Sequence, residues 1–157
     1  MLRQIILGGA VSLGNITIHS LVTVVLVRAA PVVEAKLRSR PTLHLMFVMI
    51  TAVSTLMAAH LFEITIWALV YALVGAAPEG SDYFYFAFVS YTTLGYGDVV
   101  PVARWHLLGP MTAMNGVLLF GWSTAVIFEV LRKAMAAKAS ASDAPSSPDD
   151  LPRRGRI

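Results

Sequence analysis

Seven consecutive residues have the types and spacing needed to bind a bare cation through the polypeptide backbone. Residues 92–98 read Thr-Thr-Leu-Gly-Tyr-Gly-Asp and lie between two long apolar segments. Glycine adopts backbone angles that other residues resist, so two glycines spaced two apart can turn successive carbonyl groups to one side. A ring of such carbonyls from several chains could replace the water shell of a dehydrated monovalent cation. The chemistry on offer is therefore ion coordination, mainly by main-chain oxygens.

The rest of the chain has the composition of a membrane protein. Of its 157 residues, 57% are hydrophobic and 13% are charged, with a mean hydropathy of +0.70, whereas soluble domains are about 25% charged. Three segments, near residues 4–27, 43–74 and 107–131, exceed the ~20 residues that a helix needs to cross a ~30 Å hydrocarbon layer. Residues 81–100 are half-apolar but too short and glycine-interrupted to span, which indicates a re-entrant loop.

Basic residues predict the orientation of these spans. Four of the twelve Lys and Arg residues follow the first span and six follow the third, so both regions are expected in the cytoplasm. The loop after the second span carries Glu79, Asp82 and Asp98 against one Arg104, so we expect it outside the cell, together with the N-terminus. A cleaved signal peptide is the alternative for the first segment, but the apolar run is too long and cleavage would reverse this orientation. The expected location is the plasma (cell inner) membrane.

The signature Thr93-Leu94-Gly95-Tyr96-Gly97-Asp98 resembles that of the potassium channel pore family, and the resemblance covers roughly residues 43–128. It implies passive, K⁺-selective conduction, with K⁺ as the permeant ion and no cofactor. K⁺ would be bound by the carbonyls of Thr93, Leu94, Gly95 and Tyr96 and by the Thr93 hydroxyl. One chain has one such loop, so the pore must be closed by copies, and the family's closure is a homotetramer. The expected partners are therefore the chain itself and the lipid bilayer, with no nucleic acid.

The predicted fold class is an all-α membrane protein with three transmembrane helices, a re-entrant pore helix and a filter loop. An extra N-terminal transmembrane helix is predicted for residues 1–30, a cytoplasmic loop for 31–42 and a pore module for 43–135. Within the module we predict an outer helix at 43–76, a pore helix at 82–92 that Ser81 or Asp82 caps, the filter at 93–98 and an inner helix at 106–135. Residues 136–157 are too polar to bury a core, so we expect a disordered cytoplasmic tail.

Support for the filter is expected from residues 85, 89 and 92. Many family members carry a carboxylate four residues before the signature threonine, where this chain has Val89. We therefore predict that Tyr85 donates its hydroxyl to Asp98 instead, while Thr92 ends the pore helix. Leu94 stands where valine or isoleucine is commoner, and its side chain is expected in the packing behind the filter. The aromatic run at residues 83–88 is interpreted as a cuff around the filter, or in part as an interfacial belt.

The inner helix carries a predicted cavity stripe. Val117, Phe120 and Thr124 are spaced i, i+3 and i+7 and would line one face. Gly116 is interpreted either as a gating hinge, because glycine weakens a helix by about 1 kcal/mol relative to alanine, or as a site of close helix packing. Residues 126–128 are a further hypothesis for a hydrophobic constriction.

Two ionisable residues are predicted near mid-depth of the second span. His60 and Glu63 are one turn apart, and an unpaired charge there costs several kcal/mol. The first span supplies Asn15 at comparable depth and His19 nearer the cytoplasm as predicted partners. A buried polar contact, a protonation switch and a metal site all remain open, although two side chains supply few ligands for a metal.

Other function classes are weaker. No cysteine, His-Glu-x-x-His helix or phosphate-binding loop is present, so an enzyme is not expected. No span has Arg or Lys at every third position, which excludes the moving-arginine type of voltage sensor. A non-conducting or regulatory accessory subunit of another channel is the main alternative to a conducting pore.

Overall fold

Helices form all of the regular structure in the part of the chain that the structure describes. The structure is a computed structural model, and it describes residues 1–36 and 41–142. The helices are α1 (Leu2–Lys36), α2 (Pro41–Val74), the short α3 (Tyr83–Tyr91) and α4 (Leu108–Ser142), with one 3₁₀ turn at Ala103–Trp105. The stretches Leu2–Arg28, Leu45–Val74 and Ala103–Ala136 are long and apolar enough to cross a membrane. The predicted all-α membrane fold, three spans with a short helix between the second and third, is confirmed.

Two helices extend further than the sequence pattern indicates. Helix α1 continues beyond residue 30 to Lys36, and α4 continues beyond residue 135 to Ser142. Both extensions contain alanine and lysine, which favour helix, whereas Pro31 in the first opposes it. Residues 37–40 of the predicted loop and 143–157 of the predicted tail lie outside the described residues.

The extra helix α1 packs on the rest of the chain through small and polar side chains. Its buried positions include Gln4, Gly8, Ser12, Asn15 and His19, spaced three or four apart on one face. Many of its large apolar side chains, such as Ile6, Leu13 and Leu21, are instead exposed on the single chain. This inverted pattern is typical of membrane helices, in which small residues allow close approach and polar residues bond across the interface.

An aromatic layer holds the short helix α3 between α2 and α4. Trp67, Tyr71, Phe86 and Tyr91 are almost fully buried in one cluster, and the rings of Tyr71 and Phe86 are stacked with centroids 4.8 Å apart. Phe86 therefore belongs to the core of its own chain. The result is a short helix fixed by large side chains on both of its long neighbours.

The segments on either side of α3 are tied to the ends of the long helices. Trp105 donates its indole N–H to the carbonyl of Val74 at 2.9 Å, and the Val102 amide donates to Ala76 at 2.8 Å. Gln4 accepts a hydrogen bond from the Leu107 amide at 2.8 Å. The beginning of α1, the end of α2 and the beginning of α4 therefore lie at one end of the molecule.

Candidate functional site

Helix α3 begins at a side-chain cap and ends at the signature segment. Asp82 accepts hydrogen bonds from the amides of Phe84 and Tyr85 at 2.9 and 3.0 Å, which satisfies two of the four amides that a helix start leaves unpaired. At the other end, Thr92 donates its backbone N–H to the Phe88 carbonyl at 3.0 Å. The predicted cap at Asp82 is confirmed, and the negative end of the helix dipole is directed at the residues that follow.

The backbone of the signature segment alternates between the two halves of conformational space. Thr93, Gly95 and Gly97 have φ angles of +60°, +58° and +79°. Leu94 and Tyr96 are not among the described residues with positive φ. When φ alternates in sign, successive carbonyl groups point to the same side of the backbone, whereas in a β-strand they point to alternate sides. The carbonyls of this segment can therefore converge on one line.

The positive φ of Thr93 was not predicted from the sequence. A branched residue with φ of +60° is unusual, because the left-handed region places its side chain against the backbone. Such strain of about 1–3 kcal/mol persists only where the surroundings hold it. The two glycines adopt positive φ as predicted, without that cost.

The end of α3 anchors the signature segment. The Val89 carbonyl accepts hydrogen bonds from the amides of Leu94 at 3.0 Å and Gly95 at 3.5 Å, and Ser90 accepts from the Thr93 amide at 3.1 Å. The Thr92 hydroxyl donates to Phe88 at 2.8 Å. Val89 thus contributes its carbonyl, while its buried side chain replaces the carboxylate found in many family members.

Tyr85 and Asp98 are joined across the segment. The tyrosine hydroxyl donates to Asp98 Oδ2 at 2.7 Å. This bond lowers the pKa of the Asp98 carboxyl and raises the pKa of the Tyr85 hydroxyl, because it favours the ionised acid and the neutral phenol. The hydrogen bond expected from the sequence is present.

The side chains of the signature segment are poorly covered by their own chain. Leu94 is 54% exposed and Tyr96 is 68% exposed. The sequence predicted that Leu94 packs behind the segment, but this chain offers it no such packing. Any cover for Leu94 must come from outside the chain, which a single sequence cannot show.

The predicted cavity stripe is uncovered as well. Val117 is 56% and Phe120 39% exposed, and Thr124 is also exposed. The hypothesis of a constriction at residues 126–128 is wrong for Val126, which is buried in the cluster that joins α1, α2 and α4. Phe128 remains exposed, at 67%.

Gly116 lies where α4 touches the end of α3. A Cβ added there would overlap the carbonyl oxygen of Tyr91 and lie 2.9 Å from the carbonyl carbon. At Gly121, one and a half turns further on, a Cβ would meet nothing within 4 Å. Of the two interpretations of Gly116, the structure therefore supports close packing, while bending stays a prediction.

Behind α3, a buried cluster surrounds Glu63. His19 Nδ1 lies 2.8 Å from one carboxyl oxygen, and His60 Nδ1 lies 3.2 Å from the other. Tyr91 donates its hydroxyl to the second oxygen at 2.5 Å. The side-chain amide of Asn15, also a predicted partner, donates to the Glu63 backbone carbonyl at 3.4 Å. The predicted polar contact between the first two spans is present: Asn15 meets the Glu63 backbone and His19, one turn further along α1, meets the carboxyl.

Tyr91 and Ser123 are the members of this cluster that the sequence did not reveal. Ser123 Oγ lies 2.9 Å from His60 Nε2 and 3.1 Å from His19 Nε2. Neither residue stands in a motif, and their contacts span 28 to 104 positions of sequence. The ligand-type atoms of both histidines and the glutamate lie within 4.8 Å of one another, but they already form direct hydrogen bonds, so the polar-contact interpretation fits their distances.

A second polar layer lies next to this cluster, toward the end of the molecule where α4 begins. Asn115 Oδ1 accepts from the Asn15 amide and from the Trp67 indole, both at 3.0 Å. Tyr71 and Thr112 share a hydrogen bond of 2.5 Å between their hydroxyls. These pairs tie α1 and α2 to α4 at successive turns.

A comparison with protein families matches this arrangement. The family described as Ion channel (Ion_trans_2) matches residues 43–133, more than half of the chain. No curated protein and no solved structure matches the chain. The matched segment begins on α2 and includes α3, the signature segment and most of α4, and it leaves out α1. The chain belongs to this ion-channel family, with its two-helix pore of the potassium-channel type, and carries one additional N-terminal helix.

Proposed function

We propose that this chain is a passive, potassium-selective channel. The carbonyls of residues 93–96 and the Thr93 hydroxyl would replace the water around K⁺. The observation that carries the proposal is the alternation of φ at Thr93, Gly95 and Gly97 with their neighbours, since it lets successive carbonyls converge without side-chain ligands. The negative end of α3 adds a favourable potential for a cation beside this segment.

Four copies would complete the pore. One chain supplies one signature segment, and its Leu94 and Tyr96 side chains lack cover. Val117, Phe120 and Thr124 leave an exposed stripe on α4, below that segment. Four-fold closure would place the stripe along a central cavity and cover Leu94 with a neighbouring chain.

The proposed location is the plasma (cell inner) membrane. The N-terminus would lie outside, at the end where Gln4 meets Leu107. The basic residues after Val27 and after Leu131 would lie in the cytoplasm.

K⁺ flux into liposomes that contain the purified chain tests the proposal. We expect barium-sensitive flux and, in mixed solutions, a reversal potential that follows the K⁺ gradient and not the Na⁺ gradient. Gly95→Ala should abolish the flux, because alanine at φ +58° costs about 1–2 kcal/mol in each filter strand. Equal permeability to the two ions would overturn K⁺ selectivity.

Gly80→Ala is the matched control for Gly95→Ala. Gly80 also has positive φ, +81°, and a Cβ there meets nothing within 4 Å, so the strain is similar but lies outside the filter. We expect Gly80→Ala to lower stability and keep selectivity. Equal loss of flux in both variants would show that general destabilisation, not the filter, explains the effect.

The accessory-subunit alternative is tested by the same sample. The mass of the detergent-solubilised assembly should equal four chains if the proposal holds. A monomer or dimer without flux would favour the accessory role.

A further inference from the structure

Four buried side chains form a closed ring of contacts behind the filter. Glu63 contacts His19 Nδ1 and His60 Nδ1 through its two oxygens, at 2.8 and 3.2 Å. Ser123 Oγ closes the ring by contacting both Nε2 atoms, at 2.9 and 3.1 Å. Tyr91 joins from α3 by donating to Glu63.

Each of the four helices contributes a side chain to the ring or to its contact with Tyr91. The titratable groups among these side chains are few. They are His19 from α1, His60 and Glu63 from α2 and Tyr91 from α3. Helix α4 contributes a serine hydroxyl and the ring of Trp122, whose centroid is 6.0 Å from that of His19. Among the described residues, no Lys or Arg forms an ion pair with Glu63.

The number of protons available can be counted against the contacts. Four ring contacts require one proton each. Ionised Glu63 supplies none, whereas each neutral imidazole and the Ser123 hydroxyl supply one. With that supply, one contact would hold two facing lone pairs, and a buried polar atom without its hydrogen bond is strongly destabilising.

One additional proton completes the ring. Placed on Glu63 Oε1, it is donated to His19 Nδ1; His19 Nε2–H then donates to Ser123, Ser123 to His60 Nε2, and His60 Nδ1–H to Glu63 Oε2. Transfer across the 2.8 Å contact breaks the Oε1–H bond and forms an Nδ1–H bond on His19. Every contact keeps a donor, and the cluster has no net charge in either arrangement, which a buried site favours over a single negative charge.

We propose that His19, His60, Glu63 and Ser123 form a binding site for one excess proton. Loss of that proton to water leaves a buried negative charge and an open ring. This loss changes the surroundings of Tyr91 directly, because the Tyr91 hydroxyl is bonded to Glu63 Oε2 and also lies 2.9 Å from His60 Nδ1. Tyr91 is the last residue of α3, two positions before Thr93, so the proton site is mechanically connected to the filter.

Histidine ¹⁵N NMR of the full-length protein in detergent tests the proton count directly. In a His44→Gln/His106→Gln background only the two cluster histidines remain of the four. At neutral pH we expect one of two patterns. Either one histidine is an imidazolium and Glu63 is ionised, or one histidine carries Nδ1–H, the other Nε2–H, and Glu63 shows a protonated-carboxyl infrared band that Glu63→Gln removes. Two neutral Nδ1–H histidines with ionised Glu63, or any other proton count, would overturn the proposal.

Liposome flux tests the connection to the filter, and this part alone rests on the proposed channel function. Raising the pH through the loss of the proton should reduce wild-type K⁺ flux roughly fivefold or more, the usual scale of coupling between sites. Glu63→Gln should remove that pH dependence, since its amide can donate to His19 Nδ1 and accept from His60 and so closes the ring without an excess proton. Glu129→Gln is the matched control, because Glu129 pairs with Arg132 outside the cluster, and its pH profile should equal the wild type's.

The outcomes distinguish the two proposals. A Glu63→Gln channel with the wild-type pH profile would overturn the connection to the filter, and so would wild-type flux that is constant with pH. Absence of flux from every variant would overturn the channel function, while the NMR proton count would still decide the site.

Discussion

The contact between Gly116 and the end of α3 yields the sharpest prediction about stability. Gly116→Ala should gain about 1 kcal/mol from helix propensity. The new methyl group, however, would lie 2.9 Å from the Tyr91 carbonyl carbon and 3.1 Å from its ring, and a backbone group cannot rotate away as a side chain can. Overpacking of this kind costs about 1–3 kcal/mol, so we expect a net loss of stability of up to about 2 kcal/mol per chain.

Gly121→Ala is the matched control on the same helix. Its methyl group would meet no atom within 4 Å in the chain, so it keeps the gain in helix propensity without the overlap. Thermal unfolding of the wild type and both variants in one detergent measures the difference, and K⁺ flux measures the effect on the filter. We expect Gly116→Ala to melt at lower temperature than Gly121→Ala and to conduct less.

The hinge interpretation of Gly116 makes a different prediction. A stiffened hinge would leave thermal stability unchanged or improved and would alter only opening of the pore. Equal or higher stability of Gly116→Ala than of Gly121→Ala would therefore refute the packing argument.

Two further predictions concern other contacts. The Tyr85 hydrogen bond lowers the pKa of Asp98, so its benefit is present above the ordinary carboxyl pKa and is lost as pH falls through the lowered value. Tyr85→Phe removes this bond, so protonation of Asp98 should move to higher pH and steady current should decay faster, while Tyr83→Phe should change neither; a wild-type current in Tyr85→Phe would remove the role. Gly8→Ala should cost under about 1 kcal/mol by thermal unfolding, because its methyl group would meet the Met111 side chain, at 2.6 Å from Sδ and 3.3 Å from Cβ, and the flexible end of that side chain can move aside. Gly14→Ala, which meets no atom, should not destabilise, and a larger loss at position 14 than at position 8 would contradict the packing of α1.

The spans and the backbone conformation of the signature glycines could be predicted because their signals are local. Length and apolar composition identify a helix that crosses a bilayer, since backbone groups in lipid must bond within the segment. Glycines at 95 and 97 mark positive φ because they tolerate it. The contact between Tyr85 and Asp98 could also be predicted, because the nine-residue helix α3 keeps Tyr85, near its beginning, within reach of the segment that follows its end.

The buried cluster could not be assembled from the sequence in the same way. His19 lies 44 positions from Glu63 and Ser123 lies 104 positions from His19, and the rotation of each helix about its own axis decides which side chains meet. Most of α1 is apolar, so its hydrophobic pattern does not mark the polar residues as the packed face. The sequence placed Asn15 and His19 near Glu63 but did not show which of them meets the carboxyl and which the backbone.

The positive φ of Thr93 has the same origin in tertiary structure. Nothing in a threonine side chain favours that conformation, and the bond from its amide to Ser90 at 3.1 Å holds it in place. The strain is local, but the force that maintains it comes from how firmly α3 is fixed.

The end of α3 is fixed from two sides, and one of these contacts connects the added helix α1 to the residues that precede the signature segment. On one side the Tyr91 backbone meets Gly116, where no side chain fits; on the other the Tyr91 hydroxyl bonds to Glu63. The first contact depends on shape alone, whereas the second depends on the proton that His19 helps to hold. Because His19 is the contribution of α1, the helix outside the matched pore module supplies the part of this support that can respond to the surroundings.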